Sequence, residues 1–186
     1  MELSEFLAKK KGPVLDAWIS AIVATYPEQT AQFLRRKKDR FLNPVGHTIQ
    51  NETDNILEQL LLDEPDFEAL TGFLDKLIRI RAIQDFTPAQ ALDFVFALKP
   101  IIRELVEKAG MTDDLARQVL AMERRVDQLA LLSFNIYMAC REQIYQIRSK
   151  ELANNTYMAL RRAGVVMPGE DAAELEEDSE DNNGLT

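Results

Sequence analysis

The chain has 186 residues, 46% of them hydrophobic, with only seven glycines and seven prolines, so it can form a buried core and is not disordered as a whole. Its formal net charge is −9, but the segment from Glu170 to Thr186 contains eight of the 31 acidic residues and none of the 22 basic ones. The rest of the chain is nearly neutral. Because it has no basic field, it is not expected to bind nucleic acid.

The chain contains one cysteine and one histidine. Cys140 cannot form an internal disulfide, and together with His47 it cannot supply the ligands of a usual zinc site. No apolar run approaches the roughly 18 residues of a membrane span, and the N-terminus carries acids where a secretory signal carries bases. The sequence therefore predicts a cytoplasmic protein with no membrane span, no metal and no cofactor.

The spacing of apolar residues predicts helices from the start of the chain. Ser4 is expected to cap a short first helix that ends at Gly12-Pro13, where the proline suits the first turn of a second helix. The second helix places Trp18 on its inner face and is expected to end at Tyr26-Pro27.

Residues 41–46 form the clearest irregular segment within the body of the chain. Asn43-Pro44 favours a turn, and Gly46 can take a positive φ. One helix is predicted just after this turn and another from Phe67. In the second of these, the inner apolar stripe becomes polar at Arg81.

The segment Thr87-Pro88-Ala89-Gln90 is the strongest helix-start signal in the sequence. It combines an N-cap threonine, a first-turn proline and a glutamine that can close a capping box. The helix that follows, to about Ala109, is apolar nearly all round, which indicates a central position. Pro100 is expected to kink it.

A last helix is predicted from Thr112 to about Ala163, with apolar residues at a seven-residue rhythm. A periodic helix of this length exceeds what one small core can bury, so part of it is expected to pair with another chain. We therefore expect a homodimer with Ile144, Ile147 and Leu152 in its interface.

The sequence contains no recognisable catalytic apparatus, because it lacks a glycine-rich phosphate loop, a nucleophile elbow and a paired metal motif. His47 lies beside the predicted turn, where a helix-start or surface role is simpler than haem ligation. Cys140 lies on the apolar rhythm of the last helix and is expected to be a core residue. The sequence therefore predicts that the protein is not an enzyme.

Two predicted helices carry polar residues inside apolar runs. These residues are Arg79, Arg81, Gln84, Asp85, Tyr137, Arg141 and Glu142. One interpretation is that the long side chains reach solvent or pair with nearby acids. The other is a buried arginine–carboxylate network that fixes the helix packing or meets an anionic ligand.

Several stretches of the chain occur in a recognisable order. They are Leu15-Asp16-Ala17-Trp18, the turn from Phe41 to Gly46, the segment from Arg79 to Ala91, Lys99 with Arg103, and the segment from Phe134 to Met138 with Arg141-Glu142. In this order they resemble the N-terminal domain of RsbRD-type proteins, the RsbT co-antagonists of the bacterial stressosome. The resemblance extends from about Leu3 to Leu160, and its most specific part is the segment from Arg79 to Ala91.

The resemblance implies a globin-like helical sensor domain that binds no haem, dimerises, and passes a signal through its last helix to a phosphorylatable C-terminal domain. Only 23 residues follow Ala163, which is too few for such an output domain. The expected organisation is therefore a sensor-like helical domain at residues 1–163 and a disordered acidic tail at residues 164–186.

Together these features predict a non-enzymatic cytoplasmic sensor or adaptor in stress-response signal transduction, acting through contacts with its own copy and with a signalling partner. The alternative is a small-molecule or metabolite-binding domain whose pocket is lined by Arg79, Arg81 and Arg141. The two hypotheses differ in whether the arginines meet a ligand or only other parts of the chain.

Overall fold

The computed structural model describes residues 2–36, 41–84 and 86–165. In these residues the regular secondary structure is entirely α-helical. The helices are α1 (Leu3–Lys9), α2 (Lys11–Ala24), α3 (Glu28–Arg36), α4 (Pro44–Leu61), α5 (Phe67–Ile83), α6 (Pro88–Ala109) and α7 (Asp113–Arg162). The predicted all-α class and the long last helix are confirmed. Over these same ranges, no helix is both long enough and apolar enough to cross a membrane.

The chain divides into two compact units, residues 1–142 and residues 143–186. α7 contributes to both, because the boundary after Glu142 falls inside this helix. The predicted acidic tail from residue 164 lies outside the described residues, apart from its first two positions.

Four helices surround the core of the first unit, since α2 and α5 each pack against both α4 and α6. Trp18 of α2 is fully buried in this core, on the predicted inner face. Its indole N–H donates to the Phe94 carbonyl of α6 at 2.7 Å, and the two rings stack with centroids 6.5 Å apart. The largest apolar side chain of the core therefore also has its polar group satisfied.

The first helix boundary differs from the sequence prediction. α1 begins after Glu2, with no capping role for Ser4, and the break falls at Lys10, so that Gly12 and Pro13 lie in the first turn of α2. A proline fits there because first-turn N–H groups have no partner within the helix. The proline therefore marked the first turn and not the break itself.

The helix predicted just after residues 41–46 begins earlier, at Pro44, with Asn43 as its N-cap, and the role of Gly46 is also different. Gly46 is helical and does not take a positive φ. The Asn43 side chain caps α4 by accepting from the Gly46 N–H at 2.9 Å, and its amide donates to the Leu34 carbonyl at 3.0 Å. A Cβ at Gly46 would lie 2.2 Å from the Asn43 amide nitrogen, so the glycine provides space for the cap.

The start of α6 is the predicted capping box. The Thr87 hydroxyl accepts from the Gln90 N–H at 3.3 Å, and the Gln90 side chain accepts from the Thr87 N–H at 3.0 Å. Pro88 occupies the first turn, and Gly110 ends the helix with a φ of 97°. Because capping residues act locally, their chemistry was readable from the sequence.

Residues 113–142 of α7 belong to the first unit and bury one face in it. The buried residues are Leu115, Val119, Met122, Val126, Leu129, Ala130, Ser133, Ile136, Tyr137 and Cys140. Ion pairs join the same part of α7 to α6, between Lys99 and Asp127 and between Arg103 and Glu123. Packing and charge both hold this segment in the unit.

Arg125 connects α7 to the end of α4. Its guanidinium donates to the carbonyl of Leu60 at 2.9 Å, to that of Leu62, and to that of Asp63 at 2.8 Å. The last carbonyls of a helix have no partner within the helix and carry its negative dipole end. One cationic side chain from a distant part of the sequence therefore caps α4.

The described part of the second unit consists of residues 143–162 of α7 and the turn that follows. None of these residues is buried, although Ile144 is half-buried. The predicted interface residues Ile147 and Leu152 are 58% and 69% exposed, and Tyr145 is 59% exposed. Ile147 and Leu152 are therefore exposed apolar side chains of this stretch.

Candidate functional site

The predicted site residues Arg79 and Arg81 lie one turn from the end of α5, but their surroundings are opposite. Arg79 is exposed and its Nε pairs with Asp75, one turn earlier, at 2.6 Å. Arg81 is only 2% exposed and points into the core among α2, α5 and α6. Of the two, Arg81 is the one whose burial requires an explanation.

Three hydrogen bonds hold the Arg81 guanidinium. Its Nε donates to the Ala91 carbonyl at 3.0 Å, and its Nη2 donates to the Gln90 carbonyl at 2.7 Å and to the Thr25 hydroxyl at 3.0 Å. Thr25 ends α2, and the two carbonyls belong to the first turns of α6. Arg81 therefore ties the ends of three helices together.

Aromatic rings enclose the same guanidinium. Its carbon lies 4.5 Å from the ring centroid of Phe86 and 5.5 Å from those of Tyr26 and Phe94. The Tyr26 and Phe86 rings meet edge to face at 5.3 Å. Cation–π attraction is strongest where water is excluded, so these rings compensate part of the cost of burying the charge.

No carboxylate of the described residues forms an ion pair with Arg81, and the sequence candidate Asp85 lies outside those residues. Burial lowers the pKa of Arg81 from its usual value, while Tyr26 and the more distant Asp93 act in the opposite direction. A guanidinium remains protonated at neutral pH. In the described part of the chain, the hydrogen-bond partners of Arg81 are two carbonyls and one hydroxyl.

Three buried polar atoms around Arg81 lie close together without a hydrogen bond of ideal geometry. They are the Tyr26 hydroxyl, the Arg81 Nη1 and the Gln84 Oε1. Burial raises the pKa of Tyr26, while the charge of Arg81 and hydrogen bonding to Arg81 and Gln84 lower it. The three side chains therefore interact with one another in the core.

Two cavities adjoin the residues around Arg81. A void of about 10 Å³, the size of one water, lies beside Tyr26 and Arg81. A larger cleft of about 390 Å³ opens next to it. The cleft is lined by Thr25, Tyr26, Pro27, Thr30, Gln84, Phe86 and Gln90. Tyr26 borders both spaces, and its hydroxyl is buried.

The candidate residues on α7 lie apart from this cleft. Tyr137 is buried, Glu142 is exposed, and Arg141 is half-buried, with its Nη1 donating to the Ala82 carbonyl of α5 at 3.3 Å. Neither Arg79 nor Arg141 borders the cleft or the void. The structure thus brings Arg81 and Gln84 together and places the other two arginines elsewhere.

Sequence reasoning missed the other half of this site. Tyr26 was noted only as a helix end, while Thr25 and Phe86 had no site role. The available signal was the position of Arg81 and Gln84 on the inner stripe of α5, which required polar or aromatic partners on the facing helices. The periodicity of apolar residues does not predict which helices pack against α5.

A second cavity, of about 700 Å³, lies beside the first turns of α4. It is lined by Phe41, Pro44, His47, Thr48, Asn51, Glu52 and Lys76. Glu52 is buried, and its Oε1 accepts from Lys76 Nζ at 3.1 Å, while its Oε2 has no hydrogen-bond partner. In the described ranges, no three His, Cys, Asp or Glu side chains form a group that could hold a metal ion.

The single cysteine lies in the core. Cys140 is buried on the inner face of α7, as its position on the apolar rhythm predicted. Burial raises the pKa of its thiol above the usual value, against a smaller opposing effect of Arg79. Because the thiolate is the nucleophilic form, Cys140 acts as a core residue.

The sequence of residues 12–152 matches the family model of the RsbT co-antagonist protein RsbRD N-terminal domain. Since the match covers most of the chain, the protein belongs to this family of stressosome-type sensor input domains. No curated protein and no solved structure matches the chain.

Proposed function

We propose that the protein is a non-enzymatic cytoplasmic sensor or adaptor, of globin-like fold, that acts through protein–protein contacts. In this proposal the chain forms a homodimer, and the C-terminal part of α7 is the contact surface for the second copy and for a signalling partner. The observation that carries the proposal is that none of residues 143–162 is buried, although Tyr145, Ile147 and Leu152 are each more than half exposed.

A helix with exposed apolar side chains is stabilised when a partner packs against them. Isolated helices are marginal in water, and most of their stability in proteins comes from packing an apolar face. Clustered apolar exposure is typical of interaction surfaces. Tyr145 and Leu152 lie seven residues apart, which is the spacing of a helix–helix seam.

A second copy is the simplest occupant of this surface. Closed two-fold homodimers are the most common soluble oligomers, and a helix that pairs with its own copy needs only one self-complementary face. Family membership supports the signalling role, because the matched range of residues 12–152 includes all three predicted interface residues. A signalling partner would then bind the dimer or replace one copy.

Sedimentation velocity of the full chain at micromolar concentration tests the dimer. The wild-type protein is expected to sediment at about twice the mass of the 21.2 kDa chain. The double variant Ile144→Asp with Ile147→Asp is expected to be monomeric, because two carboxylates cannot be buried unpaired in an apolar seam.

A matched control adds the same two charges to residues of the same stretch that are outside the proposed seam. Gln146→Asp with Ala153→Asp is expected to keep the wild-type mass. If the wild-type chain is monomeric, or if both double variants sediment alike, the contact surface is not on these residues.

A further inference from the structure

We propose that the outer face of α7 within the first unit binds a second copy of the chain, with the two α7 helices antiparallel and the two-fold axis near Phe134. The proposal rests on the proposed homodimer and deepens it, because it adds a contact inside residues 113–142 and gives the pair an orientation. It is carried by an exposed apolar patch, by the longest uncharged run of the chain, and by the charges at the two ends of that run.

The apolar patch consists of four large side chains, each between 45% and 69% exposed. They are Phe96 of α6 and Leu131, Phe134 and Met138 of α7. The three on α7 are three and four residues apart and therefore share one face of the helix. The Phe96 ring lies 5.9 Å from the Nζ of Lys99, which pairs with Asp127 of α7 at 2.6 Å. Phe96 therefore borders α7 on the side of this patch.

The exposed area of the patch is comparable to the apolar centre of a protein interface. At these exposures the four side chains present roughly 400 Å², on the scale of about 150–250 Å² for a whole aromatic side chain. A standard interface buries about 800 Å² per partner, and somewhat more than half of this area is apolar. The patch is therefore large enough to form the apolar centre of a contact with a second copy.

Residues 128–140 are the longest run of the chain without Asp, Glu, Lys or Arg. Only one side of this run is buried in the first unit, and the exposed side of such a helix ordinarily carries charged residues. Its exposed positions are instead Gln128, Leu131, Phe134, Asn135, Met138 and Ala139. The centres of protein interfaces are depleted of charged residues in the same way, so this face has the composition of a surface that a protein covers.

The charges at the two ends of the run favour a second copy as the partner and set its orientation. Arg124 and Asp127 precede the run, and Arg141 and Glu142 follow it. In a parallel pair in register, each of them would face its own copy and meet a like charge. In an antiparallel pair about Phe134, Arg124 faces Glu142 of the second copy. Asp127 then faces Arg141 of the second copy, so the face is self-complementary, as a closed two-fold contact requires.

The apolar side chains fit the same register. Leu131 lies three residues before Phe134, and Met138 lies four residues after it. In the antiparallel pair, Leu131 and Met138 of the second copy are therefore offset by only about 1.5 Å along the helix axis. In a parallel pair the same two positions would be about 10 Å apart.

Disulfide formation between cysteine variants of the full chain tests the orientation. Leu131→Cys alone and Met138→Cys alone are expected to give no linked dimer, because like positions lie about 9 and 12 Å apart along the axis of the antiparallel pair. An equimolar mixture of the two variants is expected to form a linked dimer under mild oxidation. The native Cys140 is buried, and mass spectrometry of the linked peptides assigns each bond.

Two results of this experiment contradict the antiparallel contact. One is a bond between two Leu131→Cys chains or between two Met138→Cys chains, which would show a parallel pair. The other is the absence of a linked dimer from the mixture.

Sedimentation of a dilution series tests the patch itself. Phe134→Asp with Met138→Asp is expected to weaken dimerisation about tenfold or more, because two carboxylates would be buried without partners. The control Gln128→Asp with Ala139→Asp adds the same charges at exposed positions of the same run, beside the patch, and is expected to associate as wild type. Equal association of the two double variants contradicts the contact.

The same measurement separates this contact from the proposed surface at residues 143–162. If Phe134→Asp with Met138→Asp dimerises as wild type while Ile144→Asp with Ile147→Asp is monomeric, the contact in the first unit is absent and the surface at residues 143–162 stands. The reverse result removes the surface at residues 143–162 and leaves the contact in the first unit. A monomeric wild-type chain contradicts both.

Discussion

The two parts of α7 differ in their surroundings. Residues 113–142 bury ten side chains in the first unit, whereas residues 143–162 bury none, although both parts carry apolar residues at helical spacing. The periodicity of a helix therefore indicates which face is apolar but not whether anything covers it. For this protein, the uncovered part is where a partner is proposed.

The largest expected difference between the two parts is in core packing. Leu129 is fully buried and Leu152 is 69% exposed. Leu129→Ala is expected to lower the free energy of unfolding by about 2–5 kcal/mol, because it leaves a cavity.

The control Leu152→Ala is expected to change the stability of the monomer by no more than about 0.5 kcal/mol. Urea denaturation at a concentration where the chain is monomeric measures both variants. Similar losses for the two would mean that Leu152 is also covered within the chain, and the proposed contact surface would then lose its main support.

A smaller difference is expected for the arginines of the two parts. Arg125→Ala removes the donor to three carbonyls at the end of α4 and is expected to destabilise the protein by about 1–3 kcal/mol. Arg125→Lys is expected to recover only part of this loss, because an ammonium group lacks the fork of the guanidinium.

The matched variant in the other part is Arg148→Ala, at an exposed position, and it is expected to be nearly neutral. Thermal unfolding of the three variants measures the comparison. If Arg148→Ala costs as much as Arg125→Ala, charge on the whole of α7 matters more than the capping of α4.

The smallest expected effect on stability comes from a change that alters only a local helix cap. Thr87→Ala removes the hydroxyl that accepts from the Gln90 N–H at the start of α6, and it is expected to cost about 1 kcal/mol. Chemical denaturation measures it against wild type. An unchanged midpoint would show that this cap contributes nothing, although its geometry is complete, and Thr87→Ser should then also be neutral.

Much of the local structure could be predicted from the sequence. The all-α class, the box at Thr87 and the extent of α7 all depend on groups within a few residues of each other. Where such prediction failed, a nearby side chain decided the outcome. Gly46 is required for the space that the Asn43 side chain occupies, and not for a positive φ.

The candidate site was only half predictable for a related reason. The inner stripe of α5 identified Arg81 and Gln84 from periodicity alone, because a polar residue on an apolar face stands out in the sequence. Their partners Thr25, Tyr26 and Phe86 lie on other elements, and nothing in their local pattern distinguishes them from ordinary helix ends.

By itself, the sequence determined the helices of this protein, most of their ends, its family and the presence of buried polarity on α5. Those properties follow from short-range hydrogen bonding and from the alternation of apolar and polar residues. Only the tertiary structure decided that Arg81 is held by carbonyls and aromatic rings, and that burial along α7 ends after Cys140. Both depend on contacts between residues that are far apart in the sequence. The periodicity of a helix shows which of its faces is apolar, but not which other element packs against that face.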